Sequence, residues 1–479
     1  MNGKALPRVV IVGAGFGGLN AAMSLAKAQA QVVLMDRRNH HTFQPLLYQV
    51  ATAGLSPGEI AAPIRSLFRS HKNVEVFMGE VTGFDVAQRV VRTPDVAIPY
   101  DYLIVAGGAS HAYFGHEEWA KFAPGLKSVE DAIEIRRRIL LAFELAERQI
   151  ASGEPAPPLN FVIIGAGPTG VELAGTLAEI CHQALKNEFR MIDPAQSHIL
   201  LLEGGPRVLP AYPPDLSASA EAQLKRLGVD VRTSTMVTQV EAGAVDFGDT
   251  RIEAAVIIWA AGVAASPLGK KLDAPVDRAG RVIVQPDLSL PNHREVFVIG
   301  DLASMKDAKG DMLPGVAPVA IQQGRFVAKV IRSEIKSRNG LGQDESPVSK
   351  NQRAARPAFH YWDKGSIATI GRAAAVADFG KIHISGFVAW LSWLLVHIFF
   401  LIGFRNRILV FIQWAWSYVT YERGARLITG SNALPGWTDE THMSPHPKAK
   451  PLEVSHPGVN GSEPDAEPAQ QEIRAGAAK

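Results

Sequence analysis

Val9-Val-Ile-Val-Gly-Ala-Gly-Phe-Gly-Gly sets Gly13, Gly15 and Gly18 in G-x-G-x-x-G spacing, directly after a strand-like run and at the head of an apolar-periodic helix, Leu19 to Lys27. The three glycines serve different physical ends. One allows a tight turn, one lets the backbone approach a pyrophosphate closely, and one packs helix on strand, with the anion resting on the helix N-terminus. A second strand, Gln31 to Met35, leads to Asp36, about 20 residues on, where an acid can accept hydrogen bonds from an adenosine ribose. Strand, turn, helix and acid together predict one βαβ half of a parallel sheet that binds a dinucleotide.

The order returns at Phe161-Val-Ile-Ile-Gly-Ala-Gly-Pro-Thr-Gly, with Gly165, Gly167 and Gly170 in the same spacing and a strand, His198 to Leu202, ending at Glu203. This acid comes later than the usual interval, so Asn187 to Ser197 must be looped out. A glycine turn that merely packs is the plain alternative at either position, and two copies in one chain argue against it. Two dinucleotide sites point to an enzyme that holds a flavin at one and admits a nicotinamide at the other. Glu203 favours the 2′-hydroxyl of NADH and repels the 2′-phosphate of NADPH.

Outward from these turns, 479 residues are too many for one core, and 47% apolar against 20% charged residues excludes a largely disordered chain. A single cysteine, Cys181, excludes a disulfide framework, a thiolate metal centre and a two-cysteine redox relay; within a helix-like stretch it reads as a packed, inert thiol. Basic and acidic residues nearly cancel, 49 against 47, so no nucleic-acid partner is expected. Met1 to Pro7 lacks the pattern of a secretion signal, so the main body is expected in the cytoplasm. A charge-rich helix is expected over Ile133 to Gln149, a linker at Gly153 to Pro158, and strands at Val229 to Arg232, Val256 to Trp259 and Val296 to Ile299, the last running into Gly300 and Asp301. Arg338 to Pro357 reads as an exposed connection, Ser366 to Ile370 and Ala374 to Ala377 as strands, and Pro435 to Lys479 as a disordered tail.

With these motifs in place the sequence resembles the two-dinucleotide flavoproteins and, within them, the type II NADH:quinone oxidoreductases. The broader resemblance rests on both glycine motifs, on Ala106-Gly-Gly, Trp259-Ala-Ala-Gly and Val298-Ile-Gly-Asp-Leu-Ala. The narrower one rests on Asn39-His-His-Thr-Phe-Gln-Pro-Leu-Leu-Tyr-Gln-Val-Ala, Gly167-Pro-Thr-Gly-Val-Glu-Leu-Ala-Gly, Lys364-Gly-Ser-Ile-Ala-Thr-Ile-Gly and a tryptophan-rich C-terminal stretch. It implies an α/β fold of two Rossmann-like, glutathione-reductase-like domains plus a C-terminal membrane-associating helical region. The implied division is 1–115 with 275–335 for non-covalent FAD, 116–274 for NADH, 336–432 for membrane attachment and quinone, and 433–479 as the tail. The resemblance further implies FAD contacts at Val81, Ala106, Gly107, Asp301 and Gln322, an NADH contact at Gly262, and Glu172 between nicotinamide and flavin. A glutamate in a first helical turn is also common for electrostatic reasons alone.

On the quinone side the resemblance implies Gln322, Lys364 and Ile367, the amide donating to a quinone carbonyl and the ammonium favouring charge on the reduced ring. Ala317-Pro-Val-Ala-Ile-Gln departs from the family pattern A-Q-x-A-x-Q by placing Pro318 at the first glutamine. Lys364 also reads as an ordinary surface lysine before Gly365. His40 and His41 read as packing groups in the flavin loop, since no carboxylate or cysteine cluster accompanies them as metal ligands.

Gly386 to Phe404 carries no formal charge and is long enough for a single transmembrane helix, while His397, Ser392 and the internal Trp390 and Trp393 argue against a span. Arg405 and Arg407 separate it from a second apolar helix, Ile408 to Tyr421, and Arg423 and Arg426 follow. The resemblance favours two helices lying in the interface at the cytoplasmic face of the inner membrane, with quinone entering from lipid, and a homodimer. A buried protein core is the third reading of these helices. One cysteine sets aside a sulfide:quinone reductase. A soluble NADH-dependent flavoprotein reductase with a protein acceptor, and a non-catalytic flavoprotein scaffold, are the rival functions.

Overall fold

The computed structural model describes residues 6–340, 356–420 and 423–429. It opens with Arg8–Val12 (β1), Phe16–Leu25 (α1), Gln31–Asp36 (β2), Leu47–Ala51 (α2), Val74–Met78 (β3) and Tyr102–Val105 (β4), and Ala109–His111 (β5) leads onward. Val129–Ala151 (α3), Asn160–Ile164 (β6), Pro168–Glu179 (α4), His198–Leu202 (β7), Val229–Arg232 (β8) and Val256–Trp259 (β9) follow, and Val263–Ala265 (β10) leads back. Ser289–Leu290 (β11), His293–Val298 (β12) and Ala317–Gly340 (α5) return the chain to the first sheet.

That sheet has the order β11-β12-β4-β1-β2-β3 and is parallel except for β11. The second, β8-β7-β6-β9, is wholly parallel. Parallel strands are covered on both faces, which is why β1 and β6 read as unbroken apolar runs rather than alternating ones. On one face of the first sheet Leu19, Ala22 and Leu25 of α1 share a core with Val327, Ala328 and Ile331 of α5; on the other lie Val91, Ile98 and Leu272. A Cβ on Gly324 would overlap the Gly17 carbonyl, so α5 crosses α1 at backbone contact. The chain passes between the sheets twice, side by side, through the antiparallel pair β5–β10.

The helix expected over Ile133 to Gln149 begins earlier, at Val129, because Ser128 and Asp131 form a reciprocal cap: Ser128 Oγ accepts from the Asp131 amide at 3.2 Å and Asp131 Oδ2 accepts from the Ser128 amide at 2.9 Å.

Ser366–Gly371 (β13), Ala374–Asp378 (β14) and His383–Ser385 (β15) form an antiparallel meander, followed by Phe387–Phe400 (α6) and Phe404–Thr420 (α7). Three small residues, Ala375, Ala377 and Ala389, let α6 lie close on β14. A spanning helix over 386–404 does not form. Leu401 turns extended, its side chain enters the core, and Gly403 takes φ +89°. The helix is therefore 14 residues, about 21 Å at ~1.5 Å per residue. No described helix is long and apolar enough to cross a membrane. The expected tail lies outside the described residues, as does the greater part, 341–355, of the connection at 338–357.

Candidate active site

The two glycine turns are near copies. Gly13 and Gly165 have φ +98° and +100°, a region that favours glycine, and a Cβ on either would run into the end of the neighbouring strand, at the Ala106 carbonyl and at Ala261. Their amides donate to Met35 O and Leu202 O, each at 2.7 Å. A Cβ on Gly18 or Gly170 would overlap the carbonyl of Gly13 or Gly165, so each helix sits directly on its own turn. Gly15 and Gly167 cap α1 and α4 with nothing within 4 Å of where a Cβ would stand. That open space beside amide N–H groups at a helix N-terminus fits a dinucleotide pyrophosphate.

The acids at the strand ends do more than the motif predicts. Asp36 Oδ2 accepts from the Ala14 amide and Glu203 Oε2 from the Ala166 amide, both at 2.7 Å; their other oxygens accept from Arg38 N at 2.8 Å and Gly205 N at 2.7 Å. Each carboxylate braces its own glycine loop. Beside the first turn His41 is buried, and its Nδ1–H donates to Ala14 O at 2.8 Å. Burial lowers its pKa despite that bond, and the buried Nε2 has no partner among the described residues, an orphaned acceptor that fits a bound ligand.

Asp301 is half-buried after Gly300, whose φ is +70°. Gln323, fully buried and not singled out by any motif, holds this turn by accepting from Gly300 N at 2.6 Å. Gly107 is packed by Leu268, Leu302 and Ser266. The Val81 side chain belongs to the core behind the first sheet. Gly262 lies under the Phe114 ring, which a Cβ there would strike.

Glu172 stands in α4 after the second turn. Burial pushes its carboxyl well above the ordinary carboxylate range, against a hydrogen bond with the Thr369 backbone that favours the ionised form. This places Glu172 against β13. The approach is close because a Cβ on Gly175 would overlap Ile370 O. Tyr48, buried on α2, is pushed up first by desolvation and then by the charge of Glu172.

Gln322 is engaged at both ends by one residue: its Nε2 donates to Trp362 O at 2.9 Å and its Oε1 accepts from Trp362 N at 3.0 Å. Lys364 is exposed, with Nζ 4.9 Å from the centroid of the Trp362 ring. Ile367, in β13, packs against the main core. Gln322 is thus tied to the stretch of chain that carries Lys364 and Ile367, and this stretch leads through Thr369 to Glu172. Thr369, Tyr48 and Gly175 lie within the stretches that carry the family resemblance but were not singled out there; the helical spacing of Glu172, Thr176 and Glu179 was the available signal for a polar face on α4.

His397 explains how a histidine sits in an apolar helix. Burial lowers its pKa to about 4, and the neutral ring donates from Nδ1 to Trp393 O at 2.7 Å while stacking on Trp393. Cys181 is buried with its thiol pushed up to about 12, the inert thiol expected.

A family model described as pyridine nucleotide-disulphide oxidoreductase matches residues 7–324, and one described as NDH2 C-terminal domain matches 363–420. The chain is 44% identical over 440 residues to the Type II NADH:quinone oxidoreductase Ndh of Mycobacterium tuberculosis, covering 89% of this chain and 91% of that protein. It is 45% identical over 436 residues to NdhA of the same organism, covering 88% and 89%. The solved structure of NDH2 from Plasmodium falciparum in complex with NADH superposes with a TM-score of 0.74 at 21% identity, over 87% of this chain and 99% of that one.

Proposed function

The chain belongs to the type II NADH:quinone oxidoreductases, and on that footing we propose a division of work among its residues. It is an FAD-dependent enzyme that oxidises NADH and reduces a quinone. FAD, when bound, supplies two-electron redox chemistry between the two substrates. The turn of Gly13, Gly15 and Gly18 would hold the FAD pyrophosphate on α1, with Asp36 at the ribose and Ala106, Gly107 and Asp301 lining the remainder. The turn of Gly165, Gly167 and Gly170, with Glu203 and Gly262, would hold NADH on α4. The domain division 1–115 with 275–335, 116–274 and 336–432 is part of the same proposal.

NADH, one proton and a quinone give NAD⁺ and a quinol, so the acceptor side consumes a proton beyond the hydride. Glu172, whose carboxyl is raised by burial above the ordinary carboxylate range, is placed to take up or give a proton beside β13. Lys364 brings an ammonium whose charge favours a developing anion on the acceptor. Gln322 acts first as a clamp on the Trp362 backbone and so sets the stretch that carries Lys364 and Ile367; donating to a quinone would cost it one of those bonds.

Phe387, Val388, Leu391, Leu395 and Phe399 of α6, with Phe411, Ile412, Trp416 and Val419 of α7, expose apolar surface of the kind that enters a lipid interface. Peripheral attachment through these helices at the cytoplasmic face of the inner membrane, and a homodimer, complete the proposal. Such a face also speaks against a soluble reductase with a protein acceptor.

The duplicated cradle is the observation that carries this reading, because one dinucleotide site would serve a binding module whereas two serve transfer between coenzymes. Steady-state NADH oxidation in detergent with a short-chain quinone tests it. Turnover dependent on both substrates is expected; FAD-loaded protein that leaves the quinone unreduced would favour the scaffold instead.

A further inference from the structure

Below Glu172 the polar face of α4 opens into a cavity of about 100 Å³. Its inner lining includes Tyr48, Thr176 and Thr369, and its outer lining Trp390, Trp393 and Trp414 of the C-terminal helices. Glu172 itself does not line it, but Thr176, whose Oγ1 donates to the Glu172 carbonyl, and Thr369, whose backbone bonds the Glu172 carboxyl, do, so the cavity joins α6 and α7 to the immediate neighbours of Glu172. Trp393 is buried, yet its Nε1 has no hydrogen-bond partner among the described residues.

Glu179, two turns beyond Glu172 on α4, lines this cavity with both carboxylate oxygens occupied. Oε1 accepts from the backbone amide of Arg372, in the turn between β13 and β14, and Oε2 accepts from Arg423 Nη2 at 2.8 Å. Arg423 comes from the segment after α7, and its Nη1 donates to the carbonyl of Thr52, at the end of α2, at 3.2 Å. One guanidinium therefore ties the chain beyond the C-terminal helices to α2, to α4 and, through Glu179, to the β13–β14 turn. The pair is nearly buried, with side-chain exposures of 9% and 15%. Burying an ion pair is no cheap route to stability, since an apolar pair of similar volume often does as well. Its presence at the wall of a cavity points to a role that apolar residues cannot fill, and none of its contacts is made with the glycine turns.

We propose that Arg423, acting through Glu179, is a positioning residue for the quinone half of the reaction: it fixes the walls of the cavity through which the quinone head group reaches Glu172. This rests on the reading that quinone is the acceptor and arrives from the side of α6 and α7.

The test uses the full-length, FAD-loaded enzyme with Arg423→Lys, Glu179→Gln and the double variant Arg423→Met with Glu179→Met. The double variant leaves no lone buried charge and serves if the single variants fail to fold. Anaerobic NADH gives the rate of flavin bleaching, subsequent addition of a short-chain quinone gives the rate of recovery, and quenching of tryptophan fluorescence gives quinone affinity. Bleaching within about twofold of wild type, recovery slowed about tenfold or more and weaker quinone binding are expected, the scale of a misplaced reacting group. Wild-type recovery in a folded double variant, or equal loss in both half-reactions, would overturn the proposal. An unmutated enzyme that bleaches but is never reoxidised by quinone would instead defeat the function reading, and this proposal with it.

Discussion

Glu172 is the residue whose environment departs furthest from what its position in a motif conveys. Its carboxyl binds a proton more tightly in the folded protein than in the unfolded chain, because burial disfavours the charged form. The native state therefore holds more protons over that interval, and stability falls as pH rises from the ordinary glutamate value of about 4.3 toward the raised one. Glu172→Gln should flatten this part of the stability–pH curve in chemical denaturation and slow quinone-dependent turnover while FAD stays bound. An unchanged curve and unchanged turnover would remove Glu172 from the mechanism. Glu203 offers a second test at this scale. Because its oxygens hold the Ala166 and Gly205 amides as well as facing the expected ribose, Glu203→Ala should raise NADPH use relative to NADH and also cost up to about 2 kcal/mol of stability. Glu203→Gln should shift the coenzyme ratio with a smaller loss. An unaltered NADPH/NADH ratio in both would place the ribose contact elsewhere. These acids were legible, Asp36 and Glu203 from strand ends and Glu172 from the resemblance. The tie of Gln323 to Gly300 and the pairing of Glu179 with Arg423 were not, since these partners lie 23 and 244 residues apart and no periodicity marks such pairs.

At the scale of elements, the contact of α4 with β13 is what brings Glu172 against the C-terminal meander, and Gly175 permits it. Gly175→Ala would press a methyl onto Ile370 O and should lower stability by about 1–3 kcal/mol while reducing quinone-dependent turnover more than NADH-driven bleaching. Wild-type stability in this variant would mean that the strand can shift freely. The helices themselves were readable from local pattern: α1 falls close to its expected span, whereas α7 starts at Phe404 and takes in Arg405 and Arg407, which were expected to separate it from the preceding helix. The end of α6 was not, because composition shows an apolar run but cannot show that Leu401 leaves the helix to enter the core while Gly403 reverses the chain. With spanning set aside by length, the exposed faces of α6 and α7 carry the membrane prediction. Leu395→Glu with Phe399→Glu should reduce co-flotation with liposomes while leaving NADH bleaching of the flavin intact, and undiminished flotation would assign attachment to another surface.

For the molecule as a whole, a mostly parallel and a wholly parallel sheet present near-identical glycine turns, joined by the paired crossings β5 and β10, and a C-terminal meander with two helices closes on the helix that carries Glu172. The sheets were legible because a βαβ unit announces itself in local spacing. The way the third region seals a cavity against the second was not, because it depends on long-range ties such as Arg423 to Glu179 and Trp414 Nε1 to Gln49 Oε1 at 2.7 Å. The central claim is that both coenzyme sites serve one path of electrons ending on a quinone. Its most direct test is sequential anaerobic mixing of the purified enzyme with one equivalent of NADH and then a short-chain quinone, following flavin absorbance throughout. Bleaching on the first addition and full recovery on the second are predicted; absorbance unmoved by NADH, or bleached and left so by quinone, would contradict the account.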